Sequence, residues 1–334
     1  MKLIPLLATA ALLSAGAASA QTVFTASSWV PPTHTLSMAQ KSWCDLLEKE
    51  SAGRMKCNIL PKSVAAAPGT FDAVRDGLAD ISYTVDGYTP GRFVFTQLAE
   101  FPFLGDSALA TSVAYQHLYA KHFAPLGEHR GVKVLAVFTH GPGIIFNSKQ
   151  PVKTLDDATK LKFRIGGGNI NELSKLMGFN TTLKPAPDSF ELLSTGVMDG
   201  TFFPDESIAS FKLNMIKHAT TFPGGLYNTS FVFMMNPAKY NALSAQDKAV
   251  VDKISGEVAT RIFGEGWDKV DAASRELQKT QGVARIQADD SFIKAVAAKQ
   301  AELEDKWAAA AAAKGLKDPK AVLAEFRAEI KKVK

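Results

Sequence analysis

Cysteine is almost missing from this 334-residue chain: there are two, Cys44 and Cys57, and their spacing is not that of a Cys-X-X-Cys redox pair. Thiol redox chemistry and cysteine-built zinc sites are therefore disfavoured. The chain also lacks a Gly-X-Ser-X-Gly nucleophile elbow and a His-Glu-X-X-His zinc helix, and its six histidines are scattered. Gly166–Asn169 reads GGGN after an expected strand, but without the spacing of a dinucleotide fingerprint or the lysine of a phosphate loop. These absences argue against an enzyme and against any cofactor or bound metal. Beyond the N-terminus no apolar run is long enough to cross a bilayer. Basic and acidic residues are nearly balanced, 38 against 33, and interspersed, so nucleic acid is not an expected partner.

What is present begins with a leader. MKLIPLLATAALLSAGAASA opens on a lysine, continues through a short apolar run and ends in Ala18-Ser19-Ala20, the pattern of a signal peptide cut before Gln21. No cysteine stands at the cut to take a lipid. The expected product is soluble and periplasmic, where Cys44 and Cys57 can pair. A structural staple between a helix and the following strand is the favoured reading; unpaired thiols and a redox role are the alternatives. With 46% hydrophobic and 21% charged residues, the mature chain suits an ordered globular protein. Its length favours two lobes.

Apolar periodicity then alternates between strand and helix. Val23–Trp29, Met55–Leu60 and Ala79–Val85 read as strands, with a helix over Leu36–Glu50 whose Leu36, Ala39, Trp43 and Leu47 share a face. Another helix covers much of Ala108–Ala124, followed by strands GVKVLAVF and GIIFNS. Such alternation predicts an α/β fold with parallel sheets. A second unit is expected from near Asn147. There Leu161–Ile165 places Phe163 on the apolar side and Arg164 on the polar side of a strand, and Phe202-Phe203-Pro204 reads as an apolar turn. Strands near Ile216–Phe222 and Ser230–Met235 would carry the chain back. The C-terminal third predicts one long helix from Ala245 to about Gln278, with Gly264 and Gly266 inviting a bend or close packing and Val251, Ile254, Val258, Ile262, Val270 and Leu277 buried, and a second helix from Ser291 to about Lys314.

Arg164 is the strongest candidate for chemistry. A planar guanidinium fixes both the position and the orientation of a carboxylate, although a strand arginine is also commonly structural. Asp205 and Glu206 suit the start of the helix leading to Phe211, by their charge; a salt bridge to Lys212 and metal coordination are lesser readings.

An ordered set of segments now carries a resemblance: the Trp29/His34 region, VRDGLADI, FPFL, GVKVLAVF, LKFRIGG, ELLSTGVMDG and MNPAKYNALSAQDKAVV. From about Thr22 to Lys314 the chain resembles substrate-binding proteins of tripartite ATP-independent periplasmic (TRAP) transporters, of the C4-dicarboxylate-binding (DctP) type. The resemblance implies a two-lobed α/β periplasmic solute-binding fold with a ligand cleft, crossing strands and a long bracing C-terminal helix. Residues 21–145 with about 224–250 would form lobe I, and 146–223 with about 251–314 lobe II; 315–334 would be a C-terminal segment. It implies capture of a small organic acid, by a monomer, for the small and large subunits of a membrane permease.

Arg164 matches the family's carboxylate-gripping arginine. The chain departs from the family at Phe203, where many acid-binding relatives carry asparagine. It departs again near Ile144, where sialic-acid-binding relatives carry a second arginine, and near Ala186, where they are aromatic. An apolar pocket for an aromatic or branched acid follows, with Phe203 alternatively a packing residue. Trp29, His34, Tyr88 and Asn228 are further ligand-contact candidates, Tyr88 being preferred over its neighbours Asp86 and Phe93. A ligand-presenting subunit of a sensory system and a periplasmic enzyme acting on an organic acid are the alternatives in other classes.

Overall fold

An unbroken apolar run such as Phe231–Met235 needs cover on both faces, and the computed structural model of this chain provides it in two sheets. The structure describes residues 21–333; the expected leader, and with it the cut before Gln21, lies outside the described residues. The elements are β1 (Thr22–Ala26), α1 (Thr35–Glu50), β2 (Met55–Ile59), α2 (Thr70–Arg75), β3 (Ile81–Val85), α3 (Ala108–Leu118), β4 (Lys133–Thr139) and β5 (Ile144–Asn147). There follow α4 (Leu155–Thr159), β6 (Lys162–Ile165), α5 (Asn169–Met177), β7 (Asn180–Leu183), α6 (Ser189–Ser194), β8 (Gly200–Phe203), α7 (Glu206–Ser210) and β9 (His218–Thr221). The chain ends with β10 (Ser230–Met235), α8 (Pro237–Asn241), α9 (Ala245–Lys253), α10 (Glu257–Thr280), β11 (Ala284–Gln287), α11 (Asp290–Ala313) and α12 (Pro319–Ile330).

One sheet runs β2-β1-β3-β10-β4 and the other β11-β9-β5-β8-β6-β7. The chain passes between them after β4, after β9 and along α10, so the fold is two-lobed with crossing strands. The expectation of parallel sheets is corrected: β10 lies antiparallel to both β3 and β4, and β5 antiparallel to both β8 and β9. A strand that enters a sheet from the opposite lobe comes without a crossover helix and is free to pair antiparallel. The first passage occupies His140–Gly143, slightly ahead of the one expected near Asn147.

Phe202 and Phe203 lie in β8, not a turn; Phe203 faces Ile144 across the β5–β8 pair while Phe202 is fully buried on the opposite side of the strand. The long helix is broken at Ile254–Gly256, where Gly256 adopts φ +60° and donates its N–H to Leu135 O at 2.6 Å. The break re-phases everything after it. Val258 and Leu277 are exposed, and the buried face of α10 is Ala259, Phe263, Gly264, Trp267, Asp271, Ser274 and Gln278. Of the two roles expected for Gly264, close packing is the one seen: α10 meets α3 so closely that a Cβ there would stand 2.7 Å from Leu109 Cα. The C-terminal segment holds a helix of its own, α12, seated through buried Val322, Leu323 and Phe326.

α10 is the brace. Toward the first lobe Asp268 accepts from Ser107 Oγ at 2.7 Å and Ala108 N at 2.6 Å, capping α3; toward the second, Ser274 Oγ donates to Asp205 O at 2.6 Å. A disulfide joins Cys44 of α1 to Cys57 of β2. No helix among the described residues is long and apolar enough to cross a membrane.

Candidate ligand-binding site

Alternation along β6 puts Phe163 and Ile165 into the second lobe's core and Arg164 on the other face. That face is polar by residue type yet not solvent: Arg164 is 2% exposed. It borders a cavity between the lobes. Arg275 and Arg285 both pair with Asp205. Arg164, by contrast, has no carboxylate partner among the described residues. Its Nε donates to Lys184 O at 2.8 Å, and the guanidinium stacks on the Phe203 ring, 4.5 Å from its centroid. Burial lowers its pKa, with the Tyr88 and Tyr227 hydroxyls opposing, but a guanidinium stays charged through such a shift. A buried, incompletely partnered cation is costly unless an anion joins it.

Of the residues singled out from sequence, Trp29, His34, Tyr88, Arg164, Ala186 and Phe203 all line this cavity. Trp29 spends its indole N–H on Tyr83 O at 2.9 Å, so it offers the cavity a ring and no donor. Tyr88 Oη accepts from Ala186 N at 2.9 Å and lies near Arg164, leaving its own proton available. His34 caps α1, its Nδ1 accepting from Leu36 N at 3.1 Å. Its pKa is lowered by burial, against the pull of Glu206 at 3.5 Å.

Two candidates stand elsewhere. Ile144 borders a separate surface cavity with Asp106, Asp205, Arg275 and Arg285. The wall position beside it belongs to Tyr227, whose ring lies so close to Gly143 that a Cβ there would be 2.1 Å away. Asn228, oriented so that its amide is satisfied, donates to Gly141 O at 2.8 Å and His140 O at 2.9 Å; it holds the chain segment that carries His140. Asp86 is engaged by His129 Nε2 at 2.9 Å, and Phe93 is buried in the core.

Sequence reasoning missed His140, Phe211, Tyr227, Phe231 and Trp267, which complete the cavity wall. Burial pushes His140 down to about 4, so its ring is neutral at physiological pH. The Asp205-Glu206 pair is engaged by protein groups. Asp205 accepts from Arg285 at 2.7 and 3.0 Å, and Glu206 from Thr35 N and Oγ1, each at 3.2 Å; Lys212 is not a partner. Among the described residues no group of three or more His, Cys, Asp or Glu is placed to hold a metal.

A second interlobe contact flanks the cavity. Glu100 accepts from Asn169 N at 2.7 Å, at the start of α5, and from Ser230 N and Oγ at 3.2 and 2.6 Å, at the start of β10. Gly168, at φ +72°, makes this possible: a Cβ there would fall 2.2 Å from Glu100 Oε2. Burial raises Glu100 to about 7.

With this geometry in hand, comparison with known proteins is informative. The model of the family DctP, "Bacterial extracellular solute-binding protein, family 7", matches residues 26–310. A TRAP periplasmic solute-binding protein from Bordetella bronchiseptica, solved with bound (R)- and (S)-mandelate, is 43% identical, covers 94% of this chain and 100% of its own, and superposes with a TM-score of 0.91. A marine-metagenome TRAP solute-binding protein described as specific for aromatic acid ligands, solved with 3-hydroxybenzoate, is 33% identical over 94% of this chain and 99% of its own, TM-score 0.86. One from Rhodoferax ferrireducens, with copurified benzoate, is 28% identical over 93% of this chain and 98% of its own, TM-score 0.86.

Proposed function

The chain belongs to the DctP family of bacterial extracellular solute-binding proteins, family 7, and from that premise we propose that the organic acid it captures is an aromatic monocarboxylate. As a TRAP-type binding protein it holds a small organic acid outside the cytoplasm for cognate permease subunits. In the proposed complex the carboxylate lies on Arg164, with the Tyr88 hydroxyl as second donor, and the ring lies among Phe203, Phe211, Phe231 and Trp29. The leader is removed before Gln21 and the mature chain acts as a monomer.

The observation that carries this reading is Arg164 itself: a buried cation with no carboxylate partner among the described residues, already stacked on an aromatic ring, in a cavity walled mainly by rings. Desolvation strengthens a matched ion pair and penalises an ill-fitting ligand. The solutes of the three related structures are all aromatic acids, which supports the same class.

Isothermal titration of the mature protein, unfolded and refolded to remove retained solute, tests it with benzoate, mandelate, succinate and glucuronate. Benzoate or mandelate is expected to bind far more tightly than the other two. Succinate or glucuronate binding as well as either aromatic acid overturns the proposal, as does failure of both aromatic acids to bind.

A further inference from the structure

Three rings of the cavity wall, those of His34, His140 and Trp267, each keep a nitrogen with no hydrogen-bond partner among the described residues. Trp267, on the buried face of α10, has its Nε1–H buried with no partner among the described residues. His34 accepts the Leu36 N–H on Nδ1, which places the ring proton on Nε2 and makes that nitrogen a donor. Glu206 stands nearby but is occupied by Thr35 N and Oγ1 and by Ser210 Oγ. His140 has the opposite polarity: its Nδ1 bonds to the carbonyl of Gly141, which can only accept, so Nδ1 carries the proton and Nε2 a lone pair. Both imidazoles are held neutral by burial. The indole sits between them, with ring centroids 5.7 Å from His34 and 5.9 Å from His140.

Two donors and one acceptor on residues that line the same cavity match a single functional group. A second carboxylate would meet the lone pair of His140, an ammonium would give the indole nothing to donate to, and a methyl would leave all three unsatisfied. A hydroxyl donates one hydrogen and accepts others. We infer that the captured acid carries a hydroxyl group, read by His34, His140 and Trp267 as the specificity-determining residues of the cavity. Arg164 belongs to the second lobe, whereas His34 belongs to the first, His140 to the passage between the sheets and Trp267 to the brace, so the two functional groups of the acid are gripped from different parts of the protein. This inference rests on the reading that an aromatic carboxylate is held by Arg164, and adds the second group.

The test compares each hydroxy acid with a methyl twin of similar shape on the mature, solute-free protein by isothermal titration. The pairs are 3-hydroxybenzoate with 3-methylbenzoate, 4-hydroxybenzoate with 4-methylbenzoate, and mandelate with 2-phenylpropionate. At least one hydroxy acid is expected to bind about tenfold or more tightly than its twin, because the methyl leaves buried polar groups unpaired. In Trp267→Phe, which keeps a ring and removes the donor, that ratio is expected to fall severalfold whatever happens to the absolute affinities. Twins that bind as tightly as hydroxy acids overturn this inference alone and leave the carboxylate reading standing; no binding by any of the six overturns both. The comparison on the unaltered chain holds even if the variant does not fold.

Discussion

Arg164 is a charge for which the fold supplies only part of a partner. Arg164→Ala is expected to weaken acid binding by about 2–5 kcal/mol, the range for removing one member of a buried hydrogen-bonded charge pair, with the fold retained by circular dichroism. Arg164→Lys is expected to recover little of it, since an ammonium can neither stack as a plane on Phe203 nor fork a carboxylate; near-normal titration of either variant would exclude Arg164 from the role. Phe203→Asn should lower affinity for benzoate more than for a small polar acid if Phe203 is a wall, and equally if it only packs. Arg164 was legible because its strand alternates cleanly and ends at a glycine turn. His140, Tyr227 and Trp267 were not. His140 sits in the passage between sheets, where no periodicity applies, Tyr227 enters the wall only because Gly143 leaves it room, and the phase of Trp267 depends on a break upstream.

At the scale of elements, Glu100 ties the start of α5 to the start of β10, and so one sheet's lobe to the other's. Its pKa is raised by burial to about 7 from an ordinary 4.5, so the folded state holds its proton more tightly than the unfolded state. That contribution to stability is fully present below about pH 4.5 and is lost as pH rises through about 7, amounting to about 3 kcal/mol at most. Glu128 and Asp271, also raised by burial, act in the same sense, and His34 and His140 in the opposite one. The informative quantity is therefore a difference. Between pH 5 and pH 8, Glu100→Gln is expected to lose less thermal stability than the unaltered chain, and identical losses in paired melting curves would remove Glu100 from this account. Glu100 gave no sequence signal, because its partners lie in segments far apart in the chain. The helix break was similarly hidden: Ser255-Gly256 is unremarkable in sequence, and what stops the helix is a bond from Gly256 to a distant strand.

For the whole molecule, alternation of strand and helix made an α/β class legible, and the ordered motifs made two lobes and a brace legible. The antiparallel members of each sheet were not, because their direction follows from which lobe the chain arrives from, a non-local fact. The disulfide lies wholly within one lobe, between α1 and β2. Replacing both cysteines by serine is expected to cost about 3 kcal/mol in urea unfolding through loop entropy in the unfolded chain, with acid affinity little changed; a collapse of affinity would mean that the staple shapes the cavity. Four tryptophans are distributed unevenly over this architecture. Trp43 and Trp307 are sealed in the cores, their indoles bonded to Ile254 O and Val94 O, while Trp29 and Trp267 stand in the cavity wall. Two fluorophores are thus fixed in the protein matrix, and two are expected to change surroundings when the solute enters. The unlabelled chain is its own optical sensor, with emission that should shift on filling and lose most of that response when Trp29 and Trp267 are both replaced by phenylalanine.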